Sequence, residues 1–213
     1  MELENVWNKL TSDLPSTKEE WWTKILTSLN DPKRKCHNYS YLAQKISLYE
    51  TIKHLLKNRE AVEYALFFSY IEYGPMTVDG NEKNIAHFKQ FATECGIPLE
   101  SDLVRDTLVL LECNSSCMTE EHIKEGAFGS EDKHYFLDLD MAVLGMDDVT
   151  YNQYWQSEKE ENDVVPESMY NTFRTKILKT FLQIPNIYAT KEFREKYEEN
   201  ARRNLQRDVS CLD

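Results

Sequence analysis

Apolar residues in this chain recur almost everywhere at helical spacing, and no segment sustains the apolar/polar alternation of a half-buried strand. Leu3, Val6, Trp7 and Leu10 follow i, i+3, i+4, i+7. Trp22, Ile25, Leu26 and Leu29 repeat the pattern, as do Tyr64, Phe67, Phe68 and Ile71. Near the end of the chain Phe193, Tyr197, Ala201 and Leu205 form another stripe. Glycine and proline, at 6 each in 213 residues, leave little punctuation for many short strands. The expected fold class is all-α, in a single domain spanning 1–213, with residues 1–16 as an N-terminal helical extension.

Local signals set the expected boundaries. Leu14-Pro15 ends the first helix, and Ser16-Thr-Lys-Glu19 reads as a capping box for the second. Helices are expected over about 38–57, 59–73 and 81–95, with Gly74-Pro75 and Gly96-Ile-Pro98 as breaks and 76–80 as a loop. Ser101 caps a helix whose Leu-Val-Leu-Leu run is apolar all round, as in a central buried helix. Residues 119–130 are polar and are expected to cover an end of the bundle. Asp147 or Asp148 caps a helix carrying Tyr151, Tyr154 and Trp155, which at helical spacing read as core. The acidic run 158–163 reads as a solvated helix end and loop. Pro166 opens a helix with Met169, Phe173, Ile177, Leu178 and Phe181 on one face. Thr190 caps the last helix, where Glu198 and Glu199 each precede an arginine by four residues; each pair adds roughly 0.2–0.5 kcal/mol.

Composition excludes some functions. A formal net charge of -12 argues against a nucleic-acid or anionic-membrane surface, both of which need Lys/Arg patches. The longest apolar runs fall short of the roughly 20 residues of a membrane span. The N-terminal Met-Glu-Leu-Glu-Asn is acidic where a secretory leader is basic, and the 5 cysteines are an odd number. The expectation is a cytoplasmic protein with reduced thiols. Cys113 and Cys117 are spaced to share a helix face, but no second Cys/His pair matches them, so they read as structural. There is no Gly-rich phosphate loop, no Gly-x-Ser-x-Gly elbow and no Cys-x-x-Cys pair.

One stretch asks for chemistry. His134-Tyr-Phe-Leu-Asp138-Leu-Asp140-Met-Ala-Val-Leu-Gly145 places two carboxylates in an otherwise apolar run. A carboxylate taken into a core is costly unless it is paired or bound to a metal. Four other stretches join it in order: Arg34-Lys-Cys-His37-Asn38, Phe68-Ser69-Tyr70-Ile-Glu-Tyr73, Asn81-Glu82, and Ala201-Arg202-Arg-Asn204. Tyr151 and Tyr154 fall between them in the expected place. In this set the chain resembles a branch of the predicted metal-dependent phosphohydrolases of the HD superfamily. That branch carries Arg-x-Tyr-His-Asn-x-x-His, Phe-His-Asp-x-x-Tyr, Asn-Glu, Leu-Asp-x-Asp-Leu-x-Ile-Leu-Gly, a Tyr-x-x-Tyr helix and Glu-x-x-Ala-Arg-x-Asn. The likeness covers residues 17–209 and implies an HD-domain-like helical bundle.

The resemblance also implies a divalent-metal site built from a His, an adjacent His-Asp pair and a later Asp. There the cation acidifies a bound water and polarises a phosphoryl oxygen. His37 and Asp140 match the first and last ligands. Ser69 and Tyr70 stand where the His-Asp pair belongs, and Tyr41 and Ser115 replace two further histidines. Hydroxyls remain protonated near neutral pH and are poor substitutes. His37 then reads either as a surviving ligand or as a histidine hydrogen-bonded to Asp140, and Tyr70 as filler whose phenol can reach Asp140 or His37. Asn38 reads as a helix cap. Asn38, Tyr41, Glu72 and Asp138 complete the candidate pocket, Asp138 in a solvent-side or capping role. A rearranged site recruiting Glu72, Asp132, Asp138 or His134 is the alternative. His54, His87 and His122 show no ligand spacing and read as helix-surface residues.

The functional expectation is a degenerate HD-fold protein without hydrolase activity or cofactor, acting as a binding or interaction protein for a protein or small-molecule partner. A divergent phosphohydrolase of a nucleotide or other small phosphate ester, using Mn²⁺, Mg²⁺, Co²⁺ or Fe²⁺, is the alternative. A structural protein whose acidic surface meets a basic partner is the third reading.

Overall fold

The computed structural model describes residues 2–74, 77–113 and 118–212. The proposed break at Pro75, the loop residue Met76, Ser115 and Cys117 lie outside them. The described residues are all-α: eleven α-helices, two short 3₁₀ turns and no strand, with one isolated bridge between Gly129 and Thr190. None of these helices is long and apolar enough to cross a membrane. Contacts gather into two compact units, Met1–Ser116 and Cys117–Asp213.

The first unit holds α1 (Leu3–Leu10), α2 (Thr17–Leu29), α3 (Tyr39–Ile52) with a 3₁₀ turn at Lys53–Leu55, α4 (Arg59–Phe68), α5 (Gly80–Glu94) and α6 (Asp102–Cys113). Its core is aromatic. Trp7 is fully buried, with the rings of Phe67, Phe91 and Trp22 centred 5.3, 5.6 and 6.1 Å away. The central helix is α4, in which Ala61, Val62 and every residue from Tyr64 to Phe68 are buried. That corrects the expectation for α6. It buries Val104, Thr107, Leu110 and Leu111 on one face but leaves Val109 44% exposed.

Two other expectations are corrected here. Ser16 makes no side-chain capping bond; its backbone is already helical at φ -60°, ψ -17°, so the capping box does not form. The helix expected through Tyr73 stops at Phe68 because distant side chains satisfy its end. Arg34 donates to the carbonyls of Tyr70 and Ile71, the latter at 2.8 Å. The Asn84 amide donates to Ser69 O at 2.7 Å and accepts from Glu72 N at 2.8 Å.

The second unit holds α7 (Glu120–Ile123), α8 (Asp132–Met141) running into a 3₁₀ turn at Ala142–Gly145, α9 (Asp148–Glu161), α10 (Glu167–Gln183) and α11 (Lys191–Leu212). Asp147 caps α9 by accepting from Val149 N and Thr150 N. The stripe Phe193, Tyr197, Ala201, Leu205 and Val209 on α11 is buried. The turn after α8 lies against this helix. A β-carbon on Gly145 would collide with the Cβ and carbonyl of Tyr197, and Asn204 Nδ2 donates to Leu144 O and Met146 O, both at 3.0 Å. Arg202 pairs with Glu198 at 2.7 Å and donates to Ile184 O and Pro185 O, closing the end of α10.

The acidic run at the end of α9 is only partly solvated. Glu161 is buried, and Glu158 accepts from the Tyr170 hydroxyl and from Asn162. The apolar face expected for α10 is also corrected. Its buried residues are Tyr170 and Leu178, whereas Met169, Phe173 and Ile177 are exposed. Arg174 faces inward, paired with Asp208 and lying over Trp155 with 4.4 Å to the ring centre.

Gly145→Ala is expected to lower stability by about 2 kcal/mol, because backbone and the root of Tyr197 must move to admit the methyl group. Urea unfolding checks this; a midpoint unchanged from wild type would refute the close approach.

Candidate functional site

The site residues of the first unit gather around His37. The chain turns there because Asn38 caps α3: its Oδ1 accepts from Ser40 N at 3.0 Å and Tyr41 N at 3.2 Å, and its Nδ2 donates to Lys35 O. His37, just before this cap, is buried. Tyr70 stacks on it with ring centres 5.1 Å apart and planes 27° apart. Tyr41 meets it edge-on at 5.1 Å, and Tyr73 lies 4.0 Å away. Lys45, one turn beyond Tyr41 on α3, is buried with its ammonium 4.7 Å from the Tyr70 ring centre and 5.4 Å from that of Tyr41. Cation–π attraction of this kind offsets part of the cost of burying a charge.

Ser69 adjoins Tyr70 in sequence but has a different task. Its hydroxyl is buried and donates to Ala65 O at 2.5 Å, the back-bond to the preceding turn that serines make at helix ends. Glu72 accepts from His87 Nε2 at 2.8 Å, and His87 Nδ1 lies 3.0 Å from Lys24 Nζ. His87 is therefore a partly buried link between Glu72 and Lys24.

In the second unit the two aspartates of the His134–Gly145 stretch have different surroundings. Asp140 is half-buried on α8. Asp138 has no exposed surface, which corrects the solvent-side part of its expected role. Its carboxylate accepts from Ala189 N at 2.8 Å, Thr190 N at 2.8 Å and the Thr190 hydroxyl at 2.6 Å. Thr190 in turn caps α11, accepting from Phe193 N. Burial pushes the Asp138 pKa up to about 7, against the downward pull of these three donors and of Arg194.

His122 and His134 have a role the sequence reading missed. His122, expected at the surface, is fully buried. Its Nδ1 accepts from Thr119 N at 2.9 Å, and His134 Nδ1 accepts from Glu131 N at 3.1 Å, completing capping boxes for α7 and α8. The signal was present as Thr119-x-x-His122 and Glu131-x-x-His134, the capping-box spacing with His in place of Glu or Gln. An Nδ1 that accepts puts the proton on Nε2, so neither ring presents a lone pair for a metal. His134 Nε2 lies 3.1 Å from Glu121 Oε2 without hydrogen-bond alignment, and His122 Nε2 is buried without a partner among the described residues.

The residues that the resemblance implies as ligands do not fit a divalent cation by their chemistry. Two of them are hydroxyls rather than imidazole and carboxylate, and one of these is committed to Ala65 O. No group of three or more His, Cys, Asp or Glu among the described residues is arranged to hold a metal. No protein family, curated protein or solved structure matches the chain.

Burial lowers the pKa of both His122 and His134 below the ordinary 6.5. Between the folded values and 6.5 the unfolded chain binds more protons, so their contribution is complete above about pH 6.5 and is lost as the pH falls. Asp138 acts with the opposite sign: between 3.8 and about 7 the folded state holds the extra proton. The histidine part is isolated by comparing wild type with His122→Gln/His134→Gln, which keeps an acceptor at each cap. The double variant is expected to lose less stability than wild type from pH 7 to 5 in chemical denaturation. Parallel pH profiles would refute the assignment.

Proposed function

We propose that the chain is a degenerate HD-like helical protein that acts by binding and does not hydrolyse phosphate esters. The observation that carries this reading is the stacking of Tyr70 on His37, at the position where the resemblance calls for a metal-ligating aspartate. The aromatic ring covers one face of the only histidine matching the ligand pattern, and Tyr73 packs against the same ring. The neighbouring Ser69 hydroxyl serves the backbone of α4.

The residues kept from the resemblance support the reading from the other side. Arg34, Asn38, Asp138, Gly145 and Asn204 each have a structural task, as a cap, a catch on a carbonyl or a close approach. What is retained holds helices together, and what is lost would have held a metal. With Ser and Tyr in the set, the positions lack the ligands that would lower the pKa of a bound water and neutralise developing charge on phosphorus.

Purified protein assayed with nucleotides and an aryl phosphate, with Mn²⁺, Mg²⁺, Co²⁺ or Fe²⁺ added in turn, is expected to show no turnover that Asp140→Ala abolishes. Turnover that this substitution removes would establish the divergent phosphohydrolase instead.

A further inference from the structure

Three elements of the first unit bring together an amine, an imidazole and a carboxylate. Lys24 stands on α2, His87 on α5 and Glu72 in the turn that follows α4. Lys24 Nζ lies 3.0 Å from His87 Nδ1, and His87 Nε2 lies 2.8 Å from Glu72 Oε1. An ammonium has donors only, so Nδ1 accepts from Lys24 and the ring proton sits on Nε2, which donates it to Glu72. The His87 side chain is 19% exposed and that of Glu72 38%, so the array is held in place and still reachable from solution. Trp21, one turn before Lys24, covers one side: its ring centre is 4.7 Å from Nζ and 6.1 Å from that of His87. Glu94, also within electrostatic range of Lys24, accepts from Trp21 Nε1 and Gln90 Nε2, each at 2.7 Å.

Lys53, Lys83, Lys133, Lys159 and Lys191 are placed differently, each beside a carboxylate. Near neutral pH a neutral imidazole takes a proton far more readily than a carboxylate. A nucleophile, a base in hydrogen-bond reach and a third group that orients the base are the parts of an activated nucleophile.

We propose that Lys24 is an acylation site served by His87, with acyl thioesters as its acyl donors. The ammonium first gives one proton to solvent. The amine then adds to the thioester carbonyl: an N–C bond forms and the carbonyl π pair moves to oxygen. His87 Nδ1 takes a proton from the nitrogen made cationic by the addition, and Glu72 stabilises the imidazolium at Nε2. Collapse of the adduct breaks the C–S bond, and the thiolate leaves with the proton that His87 held. The products are an amide on Lys24 and a free thiol. A thioester suits this array because a thiol leaves without a metal or a cationic clamp, whereas an acyl phosphate brings its anion against Glu72. Glu72 acts through His87 and is a positioning residue. The step does not depend on how His37 and Tyr70 are read.

The test incubates the full chain with S-acetyl-N-acetylcysteamine, an uncharged thioester, and follows each lysine by peptide mass spectrometry. Lys24 is expected to acylate roughly 10-fold faster than the mean of the five carboxylate-paired lysines. Exposure alone would favour Lys191, whose side chain is 63% exposed. His87→Gln keeps an acceptor for Lys24 but no base, and is expected to slow Lys24 roughly 10-fold with the five comparators unchanged. Glu72→Gln still accepts from His87 Nε2 but carries no charge, and is expected to slow Lys24 alone by about 3-fold or more. Wild-type Lys24 reacting no faster than the comparators overturns the proposal, as does an unchanged Lys24 rate in His87→Gln. A His87→Gln effect spread evenly over all six lysines overturns it too, since that reports a change in the fold as a whole. Equal preference for Lys24 with acetyl phosphate overturns the assignment to thioesters.

Discussion

The second unit depends on a carboxylate placed at the start of a helix. Asp138 projects from α8 into the core and gathers two backbone N–H groups and a hydroxyl at Ala189 and Thr190. The N–H groups of Ala189 and Thr190 lie just ahead of α11, outside its hydrogen-bond ladder, and buried donors left unpaired cost about 1–3 kcal/mol each. A buried aspartate is equally costly alone. Each deficiency answers the other, and α11 is thereby fixed against α8. The same junction is reinforced by Gly129 N–H, which donates to Ala189 O, and by Arg194, whose guanidinium takes the carbonyls of Ala127, Tyr188 and Ala189. At the far end of α8, Gly145 and Asn204 complete the clamp.

A comparable economy governs the first unit. Arg34 reaches the open carbonyls after α4, Asn38 caps α3, and between them His37 is enclosed by Tyr41, Tyr70 and Tyr73. His37 and Tyr70 thus serve aromatic packing, and Ser69 the ending of α4.

Much of the helical architecture was legible because it is encoded locally. The stripe Phe193, Tyr197, Ala201 and Leu205 is buried as its spacing implies, and Asp147 and Thr190 cap as their positions suggest. The failures have a common physical source in partners far along the chain. The end of α4 is set by Arg34 and Asn84, about one to three dozen residues away in sequence, against a pattern that continues to Ile71. The burial of Asp138 depends on a helix start 51 residues later. On α10 the residues Met169, Phe173 and Ile177 have helical spacing, but periodicity cannot say whether a stripe meets a core or solvent. At the candidate site, the absence of a His-Asp pair was readable from Ser69 and Tyr70, and the cap of Asn38 from its type. The enclosure of His37 by Tyr73 and the burial of Lys45 were not, because they depend on how the turn after α4 folds back on α3.

The central proposal is that this helical scaffold does not assemble a metal site, and metal content measures it most directly. Purified protein, expressed with manganese and iron supplied and analysed by inductively coupled plasma mass spectrometry, should carry far less than one equivalent of any divalent metal. One equivalent retained through gel filtration and lost on His37→Ala would contradict the account.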